Sequence, residues 1–251
     1  MSGPAGALGR TADPGGMLRE LARSAARIDD PLDVFMLLSE RAADVLPVAA
    51  GAVLVSDRDG TVHVVGASHS SGDVLDALRA MAVDGPGQGC LTDGTPVMWC
   101  SDGAEQGSVW PSLSALLDRA GFPWVHAFPM LAGSRGVGFV GFVGGSPLDA
   151  EASDLAQAFA DLATLALLRS DPAQEPLVLA RRTHRAIQAR ATLGQAVGMI
   201  AERYSLVPEA ALTRILASAR ENGLSIGQIA EAIVKRSPLW ATLDGVARDD
   251  V

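Results

Sequence analysis

Guanidinium groups crowd one stretch of this 251-residue sequence. Between residues 176 and 240 stand Arg181, Arg182, Arg185, Arg190, Arg203, Arg214, Arg220, Lys235 and Arg236. Only Glu202, Glu209, Glu221 and Glu231 oppose them, leaving a net charge of +5. The rest of the chain holds the remainder of the 20 basic and 29 acidic side chains and carries −14. A cationic segment on an acidic chain attracts polyanions such as RNA or DNA, while the acidic part repels them. The competing reading is a helix solubilised by arginines. Arg190 and Arg203, thirteen residues apart, are expected to share one helix face. That face would be about 20 Å long, with Arg185 nearby, and would suit contact with a phosphate backbone.

Other residues could do chemistry, and each has a blander reading. Gly85-Pro86-Gly87-Gln88-Gly89 could cradle an anion. It has neither the lysine of a P-loop nor the spacing of a dinucleotide fingerprint, so it reads as a structural loop. Cys90 and Cys100 form no CxxC pair and have no histidines close by in sequence; small buried hydrophobes are favoured over a redox sensor or metal site. His63, His69 and His126 are scattered, and a haem ligand among them is less favoured than structural histidines. Trp99, Trp110, Trp124, Phe128 and Met130 could line a small-molecule pocket, with core packing as the alternative. No spacing assembles a nucleophile, a base and an orienting acid, so the chain is expected not to be an enzyme. No cofactor or metal is assigned.

The elements that must position these residues follow from periodicity. Residues 1–16 read as a flexible tail rich in Gly, Pro and Ala. Apolar spacing predicts two helices between Met17 and Leu46, divided at Asp29-Asp30-Pro31, with Asp30 as N-cap and Pro31 at the first helical position. Gly51–Ser56 and Thr61–Ala67 are short valine-rich runs joined by Asp57-Arg58-Asp59-Gly60, a hairpin signal. A helix is expected at Gly72–Val83, a strand at Pro96–Trp99 and a helix at Ser112–Ala120. Val125–Leu131 and Gly136–Val143 read as a second hairpin, and Asp149 opens a helix to about Leu168. Hairpins bracketed by helices argue for an α+β unit with a central antiparallel sheet.

Ser170–Pro176, charged and twice interrupted by proline, is the expected domain boundary. Three helices are expected beyond it. A long one spans Leu177–Tyr204, the second starts at Pro208 and ends near Asn222-Gly223, and the third is opened by a Ser225/Gln228 capping box. Residues 241–251 form an acidic tail. No apolar run approaches the roughly 20 residues of a membrane helix, and the first residues lack the pattern of a signal peptide. The expected setting is the cytoplasm, without membrane contact.

Two resemblances follow. The run from Arg190 to Arg203, with Leu193, Gly194, Gln195, Ala196, Gly198 and Ile200, resembles the ANTAR domain, whose leading motif reads R-x-x-I-[EG]-Q-A-K-G-x-L-M-x-R. Pro208, Ala211, Ile215, Ile226, Ile229 and Ala230 continue the likeness, which covers about residues 177–236. It implies a dimeric three-helix bundle that binds paired RNA stem-loops and prevents a terminator hairpin from forming. On that basis Arg185, Arg190, Gln195, Arg203 and Arg214 are the expected RNA contacts. Residues 30–169 resemble a GAF domain through Gly51–Asp57 with Gly60, Gly87-Gln-Gly-Cys90, Gly94-x-Pro96-Val97, Trp110-Pro111 and Phe128-Pro129-Met130 with Gly136-Val-Gly138. GAF domains are sensory folds, several of which hold a small molecule, and this likeness implies an unidentified small-molecule effector.

The sequence departs from the ANTAR pattern at three places. The motif lysine is Val197, the aromatic after Ala211 is Leu212, and the basic pair before the third helix falls on Leu224 and Ser225. Each lost cation weakens phosphate contact. The expected function is a cytoplasmic transcription antitermination regulator. It would pair through the helix leaving the sensor, about residues 153–195, as a homodimer. The rival is a dimeric ligand- or protein-binding sensor whose ANTAR module has lost RNA binding.

Overall fold

A computed structural model describes residues 14–69, 72–102, 109–168 and 175–237. The first helix, α1 (Pro14–Arg27), begins inside the stretch expected to be a tail. In α2 (Pro31–Val45) the Asp30 carboxylate accepts from the Leu32 amide at 3.0 Å, and Pro31 occupies the first turn where no amide is needed. Strands β1 (Ala50–Ser56) and β2 (Val62–Ala67) form the expected hairpin. Asp57 fixes the turn: its Oδ1 accepts from the amides of Asp59 and Thr61 at 2.9 Å, and its Oδ2 meets His63 Nε2 at 2.8 Å. The hydrogen bond with His63 holds the Asp57 carboxyl below its usual range.

Helix α3 (Gly72–Val83) matches its expected bounds, but the next element does not. The glycine-rich segment expected to be a loop is the N-terminal half of α4 (Pro86–Asp93). Pro86 suits the first helical position, and Gly94 closes the helix in the left-handed region at φ 64°. Gly87 serves packing: a Cβ there would lie 2.3 Å from the Phe139 ring. Then follow β3 (Val97–Cys100), α5 (Pro111–Ala120), β4 (Trp124–Ala132), β5 (Arg135–Gly144) and α6 (Ala150–Leu168).

The five strands pair antiparallel in the order β2-β1-β5-β4-β3. Alternation along the strands gives the sheet two buried faces. Val53, Val55, Val65, Phe128, Met130 and Phe142 pack beneath α1, α2 and α6. Ala52, Leu54, Ala127, Phe139 and Val143 pack beneath α3, α4 and α5. This α+β sandwich of helix, sheet and helix is the architecture expected of a GAF fold.

The chain ends in three helices, α7 (Glu175–Tyr204), α8 (Pro208–Asn222) and α9 (Ile226–Val234). The Ser225/Gln228 capping box is formed, with Ser225 Oγ accepting from the Gln228 amide at 3.1 Å. Residues 170–174 of the expected boundary lie outside the described residues, as do most of the first expected tail and all of the second. Among the described residues no helix is long and apolar enough to cross a membrane.

Candidate nucleic-acid interface and the seam beside it

The helical bundle is not closed on itself. Its core of Leu193, Ala196, Ile200, Ala211, Ile215, Ile229 and Ile233 also contains Leu32 and Met36 from α2 of the sheet domain, both almost wholly buried. The two apolar side chains sit four residues apart, one turn, so α2 presents one stripe to the bundle and another to the sheet. Beside them Asp33 Oδ1 accepts from the Ile226 amide at 2.9 Å, capping α9 from another domain. Burial pushes the Asp33 carboxyl up to about 6, against the lowering effect of that bond, with the nearby Asp30 adding to the rise. Burial also raises the Glu40 carboxyl, which Arg220 partly offsets.

On α7 the two arginines expected to share a face do not. Thirteen residues at about 100° each leave Arg190 and Arg203 roughly 140° apart around the axis. Arg203 lies in an open depression of about 770 Å³ with Gln195, Gly198, Met199, Glu202 and Arg236. Arg190 instead lines a groove of about 730 Å³ between the bundle and the sheet domain, with Arg79, Val62, Val64, Val83, Val197, Pro208 and Leu212 among its neighbours. Burial, and then the nearby Arg79, lower the Arg190 guanidinium from its ordinary value. Arg185 is exposed.

Two residues that sequence reasoning left out of the site stand close to Arg203, Tyr204 beside the depression and Arg236 in its lining. Tyr204, the only tyrosine of the chain, lies under the Arg214 guanidinium at 4.1 Å from the ring centroid, with the Arg203 guanidinium at 5.5 Å. Arg236 follows α9 with φ 50°, a left-handed conformation unusual for a residue other than glycine. It is this turn that brings a cation from the end of the bundle to the depression lined by Arg203. Tyr204 could have been found from its adjacency to Arg203. Arg236 could not, because its partner lies more than thirty residues away in sequence.

The ANTAR domain family matches residues 181–234. The chain carries an ANTAR domain. Among curated proteins, none matches this chain. Its solved neighbours include a methyl-accepting chemotaxis protein segment, at 20% identity and TM-score 0.46 over 59% of this chain and 95% of that one. Another is the phycocyanobilin-bound GAF domain of a cyanobacterial phytochrome, at 11% identity and TM-score 0.46 over 63% of this chain and 95% of that one. A third is the chromophore-binding domain of a bacteriophytochrome from R. palustris, at 12% and 0.43 over 61% of this chain and 60% of that one.

In the sheet domain, which precedes the ANTAR domain in the chain, the five residues expected to line one pocket are divided by the sheet. Phe128 and Met130 are buried on the α2/α6 face. Trp99 lies on the other, in edge contact with Trp110 at 5.3 Å and 74°. Trp124 stacks on His126 at 6.2 Å. Alternation of side chains along β4 is the cause: residues two apart share a face, and Trp99 belongs to the opposite one. His126 is fully buried, its Nε2 accepting from the Leu148 amide at 3.3 Å, and burial pulls it down to about 4. Cys90 is buried, which pushes its thiol up to about 12, and an un-ionised thiol is a poor nucleophile. A larger cavity, about 950 Å³, opens between the two hairpin turns and α7, lined by Arg58, His63, Arg135, Arg181 and His184 among others.

Proposed function

We propose that this protein is a cytoplasmic transcription regulator whose ANTAR domain binds paired RNA stem-loops and prevents termination, under the control of its GAF-type sensor. One observation carries the reading: the ANTAR match contains Gln195 and Arg203, which lie in one depression with Arg236 just beyond the match, next to the Tyr204–Arg214 pair. Arginines there offer forked donors to phosphate oxygens, and an aromatic–guanidinium pair offers a surface on which an unpaired base can stack. Arg185 extends the cationic side of α7. The working unit is a homodimer formed through the helices that leave the sensor. Leu165 of α6, 58% exposed, supports this, since it lines an apolar groove with Ala22, Ala25 and Leu162.

The test is titration of a labelled two-hairpin RNA at two salt concentrations, beside a scrambled hairpin of equal length. Arg203→Ala and Arg236→Ala should each weaken binding and lower the salt slope by about one. Unchanged affinity in both folded variants rules out this surface. A second reading is favoured by one feature: Val197 and Leu212, where ANTAR domains carry a lysine and an aromatic, both line the apolar groove at the sheet domain. On it the protein is a dimeric ligand- or protein-binding sensor whose ANTAR module no longer engages RNA. Weak, equal binding of both RNAs selects that reading.

A further inference from the structure

The groove at the seam has a composition that calls for an occupant. Its walls are mostly aliphatic: Val62, Val64 and Val83 from the sheet domain, Val197, Pro208 and Leu212 from the bundle. Val83, 81% exposed, stands at its rim, and Val207, 64% exposed, adjoins Pro208; large apolar side chains this open are few among the described residues. Two guanidiniums share this apolar space, and among the described residues no carboxylate lines it. Arg79 keeps Asp76 as an exposed partner at 3.1 Å, whereas no hydrogen bond or ion pair joins Arg190 to any described residue. A half-buried cation beside a like charge and without a counter-ion is unfavourable, and an anion would relieve it.

Two further features point the same way. Helix α8 begins at the groove with Pro208, and its N-cap Val207 makes no side-chain capping bond, so the positive end of the helix faces the groove without a polar N-cap side chain. Gly194 and Gly198 of α7 also line the groove, and a Cβ built on either would meet nothing within 4 Å. Glycine inside a helix is destabilising by roughly 0.5–1 kcal/mol, and here no close packing by the described residues requires it. The bare backbone leaves a smooth wall against which a flat body can lie.

We propose that this interdomain groove is a binding site for an amphipathic anion, a carboxylate, sulfonate or phosphate on an apolar or aromatic body, whose acid group pairs with Arg190 and Arg79. The site belongs to neither domain alone, so its occupancy changes how the ANTAR domain is held against the sensor. Its pairing residues are distinct from the proposed RNA contacts, since neither Arg203 nor Arg236 lines this groove.

The probe is 8-anilinonaphthalene-1-sulfonate on the full chain, followed by fluorescence, with N-phenyl-1-naphthylamine as its uncharged counterpart. Arg190→Gln is expected to weaken the sulfonate by about tenfold, the scale of one charge-assisted pair, and to leave the neutral probe unchanged. Arg79→Gln acts in the same direction. Gly194→Met, a good helix former pointing into open space, should block both probes while circular dichroism and the melting curve remain those of a folded protein. Leu165→Glu, in the groove between α1 and α6, should leave the sulfonate affinity unchanged. Equal sulfonate binding by the wild type, Arg190→Gln and Gly194→Met overturns the proposal. So does loss of the signal in Leu165→Glu, or a neutral probe that binds as tightly as the sulfonate.

Discussion

The two sides of helix α2 belong to different molecules in all but the covalent sense. Phe35 and Leu38 close the sheet's core, while Leu32 and Met36 complete the core of the ANTAR bundle. The sheet side is saturated: Phe35, Phe142 and Phe159 are at most 1% exposed, and Gly66 is so tightly met by α2 that a Cβ would come within 2.6 Å of the Phe35 carbonyl oxygen. The seam with the bundle is loose beside it, with open grooves, exposed valines and an arginine that no acid among the described residues pairs. The difference teaches where to look for control. A core packed at interior density has no room for a signal, whereas a seam with unsatisfied charge can be tightened or opened by one.

The largest effects should divide along that helix. Phe35→Ala removes a fully buried ring and is expected to cost about 3–5 kcal/mol of the sheet domain's stability. Met36→Ala is expected to cost about 2–5 kcal/mol, felt by the bundle. Amide hydrogen exchange resolves the two: Phe35→Ala should speed exchange in β1 and β5, Met36→Ala in α8 and α9. Equal acceleration everywhere in both variants would mean one cooperative unit and erase the contrast.

The pH response sharpens the same comparison. His126, buried in the sheet domain, has its value lowered from 6.5 to about 4. Its neutral form is the folded form, so its contribution is complete above pH 6.5 and is lost as pH falls towards 4, about 3 kcal/mol in all. Asp33 at the seam is raised from 3.8 to about 6, so its effect runs the other way: docking is favoured below 3.8 and weakened as pH rises through 6. Urea unfolding between pH 4 and 7 should show the sheet domain gaining stability with rising pH, and His126→Leu should flatten that slope. Asp33→Asn should flatten the opposing slope read by exchange in α9.

Much of this was legible in the sequence because it is written locally. The Asp30 cap, the hairpin at residues 57–60 and the Ser225/Gln228 box each lie within a few residues of what they fix. The glycine-rich α4 was not, because Gly87 answers to the Phe139 ring, a contact that only the folded sheet brings near. The tryptophan pocket failed for a related reason: type alone does not say which side of a sheet a side chain takes. Arg190 and Arg203 were misplaced onto one face because a thirteen-residue spacing falls well short of a whole number of turns. The seam itself was invisible, since nothing local to Leu32 and Met36 says that a helical bundle far along the chain will cover them.

Smaller changes test the local devices. Ser225→Ala should cost about 1 kcal/mol, the usual worth of a helix cap, and the loss should be confined to the bundle. The smallest expected effect has the opposite sign and contrasts two glycines. Gly87→Ala places a methyl 2.3 Å from the Phe139 ring and should destabilise the sheet domain by about 1–3 kcal/mol. Gly194→Ala places one in open space on a helix and should stabilise α7 by roughly 0.5–1 kcal/mol. The sign matters more than the size. A destabilised Gly194→Ala protein would mean that something of this chain already fills that side of α7, and the seam would then be as closed as the sheet.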